Sequence, residues 1–494
     1  MKALLLATCA LLAQPSGDLI ALQRDLPYPV LGSDREWLEP YWRAWLLAAT
    51  AVKQGTPQNA LAPLYLDEGR DEFIYQWDTC FLVLFTRYAP DLFPAGPSLD
   101  NFYRLQTPDG YVPARIRETD GRPVGDAADP NATAPPLLSW AELELYRLTG
   151  DRQRLGRILP ALDRQYRWLQ ANRRRPNGLY WTSAQGSVME NSPRVERAYS
   201  WVDLSAQQAL NARCLAAIAG EVGDNRLKAA YEKEHADLAG LINRLCWDPA
   251  DGFYYDLDQQ GQFVRVKTAA GFWPLIAGVA SRQQATALAA HLRSPEEFWR
   301  AHVFPSLSAD HRAYQALGDG WLGGVWPALN YAIIRGLALA GETDLAHQAA
   351  VNHVASMAIA LKQSAQLWTH YAPDQEVRGS LSSEDLAGAA GVGAVSLLIE
   401  QLLGVQADAA TGDVYWRLRR TDRHGIRRLR VGANVVDLVS DYRWGPEATC
   451  DISATCQQPL NLTVDTGFTT QTKRLKPGNN RFTLKGKDPP AEEG

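Results

Sequence analysis

The chain has 494 residues, of which 46% are apolar and 21% charged, with a formal net charge of −5. That length carries a sizeable core with room for a second, smaller unit, and the charge balance excludes the basic footprint of a nucleic-acid binder. The 16 Trp and 19 Tyr stand out, because such rings stack on the C–H faces of sugars, although large helical cores also consume them.

The N-terminal stretch MKALLLATCALLAQPSG is a lysine, an apolar run and a small-residue exit. It predicts a signal peptide over residues 1–17 and an exported protein, periplasmic or extracellular. The run is too short to cross a bilayer, so no membrane span is expected. From Trp37 to Leu403 helical segments alternate with loops rich in Pro, Gly and Asp. DNRLKAAYEKEHADLAGLINRLCW puts Leu227, Tyr231, Leu238, Leu241, Ile242 and Leu245 on one face, the spacing of an amphipathic helix. WAELELYRLTGD, ALDRQYRWLQANRR, RQQATALAAHL and AHQAAVNHVASMAIALK have the same period. This region is predicted to be all-α.

The loop at residues 107–136 is long, polar and without periodicity, which in a compact helical unit marks a functional or disordered segment. After Asp408 the period changes. VYWRLRR, IRRLRVG, NVVDLVSDY, CDISAT, LNLTVDT and RFTLKG alternate over short runs and predict a small antiparallel β domain at 408–486. The tail at 487–494 is polar and is expected to be disordered. Cys450 and Cys456 are close enough in sequence to bridge across a hairpin, while Cys80, Cys214 and Cys246 suit buried apolar sites. Cysteine and histidine spacing gives no zinc pattern, so no metal and no organic cofactor is expected.

Several stretches occur in a telling order: YQWDTCF, LDNFYRLQTPDGY, PPLLSWAE, GLYWTSAQGSVMENSPR, AYSWVDLSAQQAL, GFWPLIAG, GWLGGVWPALNY and WTHYAPD. The series resembles the six-hairpin glycosidase superfamily, in the group of trehalases, glycoside hydrolase family 63 and mannosylglycerate hydrolases. The resemblance implies an all-α (α/α)6 barrel, a six-hairpin toroid, over 30–405, followed by the small C-terminal antiparallel β domain. It also implies a small carbohydrate substrate, such as an α-linked disaccharide or glycoside, and an inverting mechanism. There one carboxylic acid protonates the leaving oxygen, and a second carboxylate about 6.5–9.5 Å away activates water.

On this resemblance Glu190, in VMENSPR, takes the place of the general acid, with one methylene more than the usual Asp, a reach of about 1.5 Å. Burial would keep it protonated; a helix-capping carboxylate is the plain alternative. Arg194 offers five donors to a substrate, or pairs with Glu190 and holds it ionised. Trp77 and Asp78 match the Trp-Asp that grips the sugar, the other reading being a core Trp and a capping Asp. Trp321 and Trp326 resemble a pocket wall, with glycines between them for close backbone approach, or are core aromatics.

The resemblance also puts the family's general base at Thr369, which cannot take a proton from water as a carboxylate does. Gly388-Ala389 stands where relatives have an aromatic Gly-Trp segment. Three readings follow. Another group serves as base, among Asp374, Glu376, Glu384, Asp385 and His370. Or the site binds sugar as a catalytically weakened carbohydrate-binding pseudoenzyme. Or the chemistry has changed to elimination on an acidic sugar, with His370 or Tyr371 transferring the proton.

Overall fold

In a computed structural model of the chain, residues 18–69, 71–385 and 390–486 are described. The expected signal peptide at 1–17, the tail at 487–494 and the Gly388-Ala389 position lie outside them. Helices form where the apolar period runs and stop where the side chains demand it. Asn225–Leu245 starts at Asp224, whose carboxylate accepts from Leu227 N, and buries Tyr231, Leu238 and Ile242. Arg282–Arg293 opens on a reciprocal Ser281/Gln284 capping box, which satisfies two otherwise unpaired donors. Leu138–Thr149 ends at Gly150 with φ 69°, a conformation that costs glycine nothing.

These helices pack as consecutive antiparallel neighbours. Val202–Val222 lies against Arg152–Asn172 on one side and Asn225–Leu245 on the other, and Pro327–Leu339 against Thr343–Ser364. The early helix Leu38–Thr50 packs on Thr343–Ser364 and on the π-helical turn Val392–Ser396, so the two ends of the helical region meet. Beneath that junction lies a buried ion cluster. Arg87 binds Glu400 at 2.7 Å and also Glu144, and Arg335 reaches Glu144 at 3.0 Å and Glu400 at 3.4 Å.

The C-terminal region is an antiparallel β structure with two departures from expectation. The five-stranded sheet runs Tyr28–Leu31, His424–Val431, Asn434–Ser440, Cys450–Cys456, Gly478–Leu484, so its edge strand comes from before the helices. In the four-stranded sheet Asp413–Arg417 pairs in parallel with Leu460–Asp465, and the sheet begins at Val405. Cys450 and Cys456 are both free. They stand at opposite ends of one strand, roughly 20 Å apart at about 3.3 Å per residue, so the expected bridge across a hairpin is geometrically excluded. Among the described residues no helix is long and apolar enough to cross a membrane.

Candidate active site

A cavity of about 220 Å³ opens among Trp77, Asp78, Arg115, Glu190, Trp321, Trp326 and Thr369, with Tyr75, Asn131 and Gln185 on its rim. Each wall has a local cause. The helix Gln76–Thr86 starts after Tyr75 in extended conformation, and the Gln76 side chain anchors that start by donating to Pro113 O at 2.9 Å. Trp77 and Asp78 therefore sit in the first helical turn. The positive end of the helix dipole favours a carboxylate there. Trp77 is steadied by Phe81 and Trp273, at ring distances of 4.8 and 6.2 Å.

The long loop at 107–136 is ordered by a short strand, Arg115–Arg117, which pairs with Phe73–Tyr75 so that Tyr75 faces Arg115. Asn131 follows in a single 3-10 turn, its N–H donating to Asp129. Length and composition marked this loop as functional or disordered and did not single out Arg115 or Asn131, nor was Gln185 noticed in its own loop. The signal available was the pair of cations in PARIR, with a β-forming FIY earlier in the chain.

Glu190 lies in a loop bent by Val188, a β-branched residue with φ 55°. Such a residue rarely adopts this region, at a cost of about 1–3 kcal/mol. The Glu190 side chain is exposed at the cavity rather than buried as expected, and its Oε2 accepts from Trp321 Nε1 at 2.9 Å. Next to it Asn191 ties down the opposing loop, accepting from Trp321 N at 2.8 Å and donating to Asp319 O at 3.2 Å. Trp321 stacks on Trp326 at 4.1 Å, and Trp326 on His370 at 4.5 Å. Gly324 makes this packing possible, since a Cβ there would come within 2.3 Å of Gly320 O.

Thr369 faces the cavity because the following residue but one, Tyr371, pairs with Val325 through two backbone bonds of 2.9 Å. Its hydroxyl lies 3.2 Å from Ser382 Oγ and 3.4 Å from Ser383 Oγ. His370 stands behind the cavity wall, its Nδ1 3.5 Å from the Thr369 hydroxyl and its ring against Trp326. Its Nε2–H donates to Ser380 O at 3.1 Å, and burial lowers its pKa, so the ring is neutral at pH 7. Tyr371 is fully buried, its hydroxyl accepting from Trp368 N at 3.2 Å. Neither His370 nor Tyr371 lines the cavity; both stand behind its wall.

Arg194 is also displaced from its expected role. It is fully buried, and its guanidinium binds Asp203 and, at 3.1 Å, Asp256. Asp256 in turn accepts from Val202 N at 2.8 Å, so the three residues lock the start of Val202–Val222 behind the Glu190 loop. Burial raises the Asp256 pKa while Arg194 opposes it. Arg194 therefore neither lines the cavity nor pairs with Glu190. Of the alternative bases, Asp374 is held by Arg300 at 2.6 Å, Asp385 is buried and accepts from Ala390 N, and Glu376 and Glu384 lie off the cavity. Among the described residues two carboxylates line it, Glu190 and Asp78. No group of His, Cys, Asp and Glu suited to a metal occurs among the described residues.

With this arrangement in view, the chain matches the model of the mannosylglycerate hydrolase MGH1-like glycoside hydrolase domain over residues 72–378. The chain belongs to that family. Its MGH1-like domain contains every cavity residue named above. A Borreliella burgdorferi protein is 27% identical over 419 residues, covering 82% of this chain and 88% of that one. The mannosylglycerate hydrolase of Thermus thermophilus is 32% identical over 129 residues, a match spanning 26% of this chain and 31% of the Thermus enzyme. The crystal structure of a glycoside hydrolase family 63 mannosylglycerate hydrolase from Thermus thermophilus, in complex with glucose, superposes with a TM-score of 0.59. It is 21% identical and covers 72% of this chain and 99% of that one.

Proposed function

We propose that the chain cleaves a small glycoside by acid/base chemistry with Glu190 as the proton donor. The helical region is proposed to close as an (α/α)6 barrel over 30–405, a reading supported by the contact between its first and last helices. The observation that carries the function is one cavity in which two carboxylates, Glu190 and Asp78, face a wall of three tryptophans. A sugar ring stacks on such walls, and Asp78 can accept from vicinal hydroxyls. The indole N–H on Glu190 Oε2 leaves Oε1 to carry the proton. That proton passes to the glycosidic oxygen as the bond to the anomeric carbon breaks, and water attacks the opposite face, giving up its proton to solvent where no carboxylate base stands.

Arg115 makes no ion pair among the described residues; its guanidinium lies 5.8 Å from the Phe73 ring and within electrostatic reach of Tyr111. A guanidinium so placed suits a carboxylate on the aglycone, in keeping with the mannosylglycerate named for the Thermus relative. The substrate proposed is therefore an α-glycoside of a small hydroxy acid. Export is proposed on the apolar N-terminal run.

A second reading is favoured by Thr369. A hydroxyl hydrogen-bonded to two serines stands where the family resemblance puts a carboxylate, and loss of a base lowers the rate about 10²–10⁴-fold. On that reading the chain binds the same ligand and turns it over slowly or not at all. Purified protein assayed on mannosylglycerate, glucosylglycerate and trehalose separates the two. Turnover of the glycerate glycosides supports an enzyme, saturable binding without turnover supports a binding protein, and neither refutes both.

A further inference from the structure

The Thr369 hydroxyl stands between the cavity and an imidazole. Thr369 lines the cavity together with Trp326, and its Oγ1 lies 3.5 Å from His370 Nδ1 and 3.2 Å from Ser382 Oγ. The tautomer of His370 is set from the other side of the ring. Its Nε2–H donates to Ser380 O at 3.1 Å, which leaves Nδ1 as an acceptor on the side of the Thr369 hydroxyl. Ser382 Oγ accepts from His370 N at 3.2 Å and is free to donate to Thr369 Oγ1. That arrangement turns the threonine proton toward the imidazole.

The surroundings hold the ring in this pose and suit a positive charge on it. His370 stacks on Trp326, and Trp326 on Trp321, whose Nε1 binds Glu190. The proton donor and the imidazole therefore stand at opposite ends of one aromatic column. Two glycines make room for the ring, since a Cβ at Gly379 would come within 2.2 Å of His370 Cδ2 and one at Gly324 within 2.9 Å. An imidazolium is attracted to an indole face, and its bond to the Ser380 carbonyl strengthens on protonation. Burial lowers the His370 pKa, while the Ser380 and Gly318 carbonyls push the other way. So does Asp319, the one charged side chain that acts on His370 among the described residues.

We infer that Thr369 and His370 relay the proton of the attacking water, in place of the carboxylate that the family resemblance puts at Thr369. The inference rests on Glu190 as proton donor and deepens that reading. Glu190 gives its proton to the glycosidic oxygen as the bond from that oxygen to the anomeric carbon breaks. The water oxygen bonds to that carbon from the opposite face. Its O–H proton passes to Thr369 Oγ1, and the threonine proton passes to His370 Nδ1. Glu190 is left as a carboxylate and His370 as an imidazolium, and proton exchange with solvent resets both. Thr369 is then a catalytic residue, and His370 acts through it.

The full chain, Thr369→Val and His370→Gln are compared on glucosylglycerate across the imidazole titration range, with and without azide. Each variant is expected to lower kcat about 10²-fold with little change in KM, and Thr369→Ser to recover most of what valine loses. Because only neutral His370 accepts the proton, the parent kcat falls as pH drops below about 6.5, and that limb is absent from His370→Gln. Azide attacks the anomeric carbon without losing a proton. It therefore restores cleavage in both variants, as the glycosyl azide of inverted configuration, and not in Glu190→Gln. Thr369→Val is nearly isosteric and carries the test where His370→Gln fails to fold. Cleavage by Thr369→Val at the parental rate overturns the relay, leaves Glu190 as donor and assigns the water proton to Asp78. Slow variants that azide does not rescue give Thr369 and His370 a structural role and equally overturn it. A parent chain that binds the glycoside without turnover refutes the enzymatic reading itself, and the relay falls with it.

Discussion

Trp321 donates its indole N–H to Glu190 Oε2 across 2.9 Å, joining the acid loop to the loop on the far side of the cavity. A hydrogen bond to a carboxylate contributes about 1.5–3 kcal/mol, and here it grows stronger as Glu190 loses its proton. Trp321→Phe keeps most of the ring and removes the donor. It is expected to lower kcat roughly tenfold or more, with a smaller change in KM; an unaltered kcat would detach Trp321 from the proton transfer.

Arg115 is predicted to select the aglycone. Replacing it with Gln removes a charge that no protein carboxylate neutralises among the described residues. KM for a glycerate glycoside should rise about 10- to 100-fold, while a neutral glycoside of the same sugar is affected much less. Equal losses on both would place Arg115 in a structural role.

Thr369→Glu restores a carboxylate at the cavity wall. If the site is merely weakened, turnover rises by up to about 10²–10⁴-fold. Steady-state rates of the two proteins on the same glycoside measure this directly, and an unchanged rate would mean that proton removal from water was never the deficit.

Arg194 should act on stability and not on substrate binding. Arg194→Met leaves Asp203 and Asp256 buried without their cation, a change that costs about 3–5 kcal/mol. Denaturant unfolding is expected to show that loss. A raised KM with unchanged stability would instead return Arg194 to the substrate.

Acid is predicted to destabilise the protein through a buried histidine pair. His302 Nε2 and His353 Nδ1 lie 2.8 Å apart. Burial holds His353 down at about 4 and His302 well below its ordinary value. The unfolded chain binds protons at these sites near pH 6.5 while the folded chain does not. Their contribution is therefore fully present above about pH 6.5 and is lost as pH falls toward 4. Tm measured across that window should decline steadily, and less steeply in His353→Gln, in which His302 and His424 still resist protonation.

The helical region and the place of Glu190 at the cavity were legible in the sequence because their signals are local. The Leu227–Leu245 period, the QWDT motif and the MENSPR run each occupy adjacent residues. What escaped notice depends on partners far along the chain. Arg194 finds Asp203 nine residues away and Asp256 sixty-two away, so its burial could not be read from VMENSPR. YPVL at 28–31 shows no strand signal by itself and becomes one only beside His424–Val431. Arg115 was hidden in an aperiodic loop whose strand is three residues long. The CDISAT run marked a strand correctly, but that strand runs on to Cys456, so the two cysteines that suggested a bridge across a hairpin are its two ends.

The most direct test is Glu190→Gln, which keeps size and the hydrogen bond from Trp321 but has no proton to give. Single-turnover and steady-state rates on the best glycoside would be compared with those of the parent chain, alongside calorimetric binding. Cleavage is predicted to fall by at least about 10²–10⁴-fold with ligand affinity retained. Cleavage at the parental rate by a correctly folded Glu190→Gln protein would contradict the assignment of the proton donor.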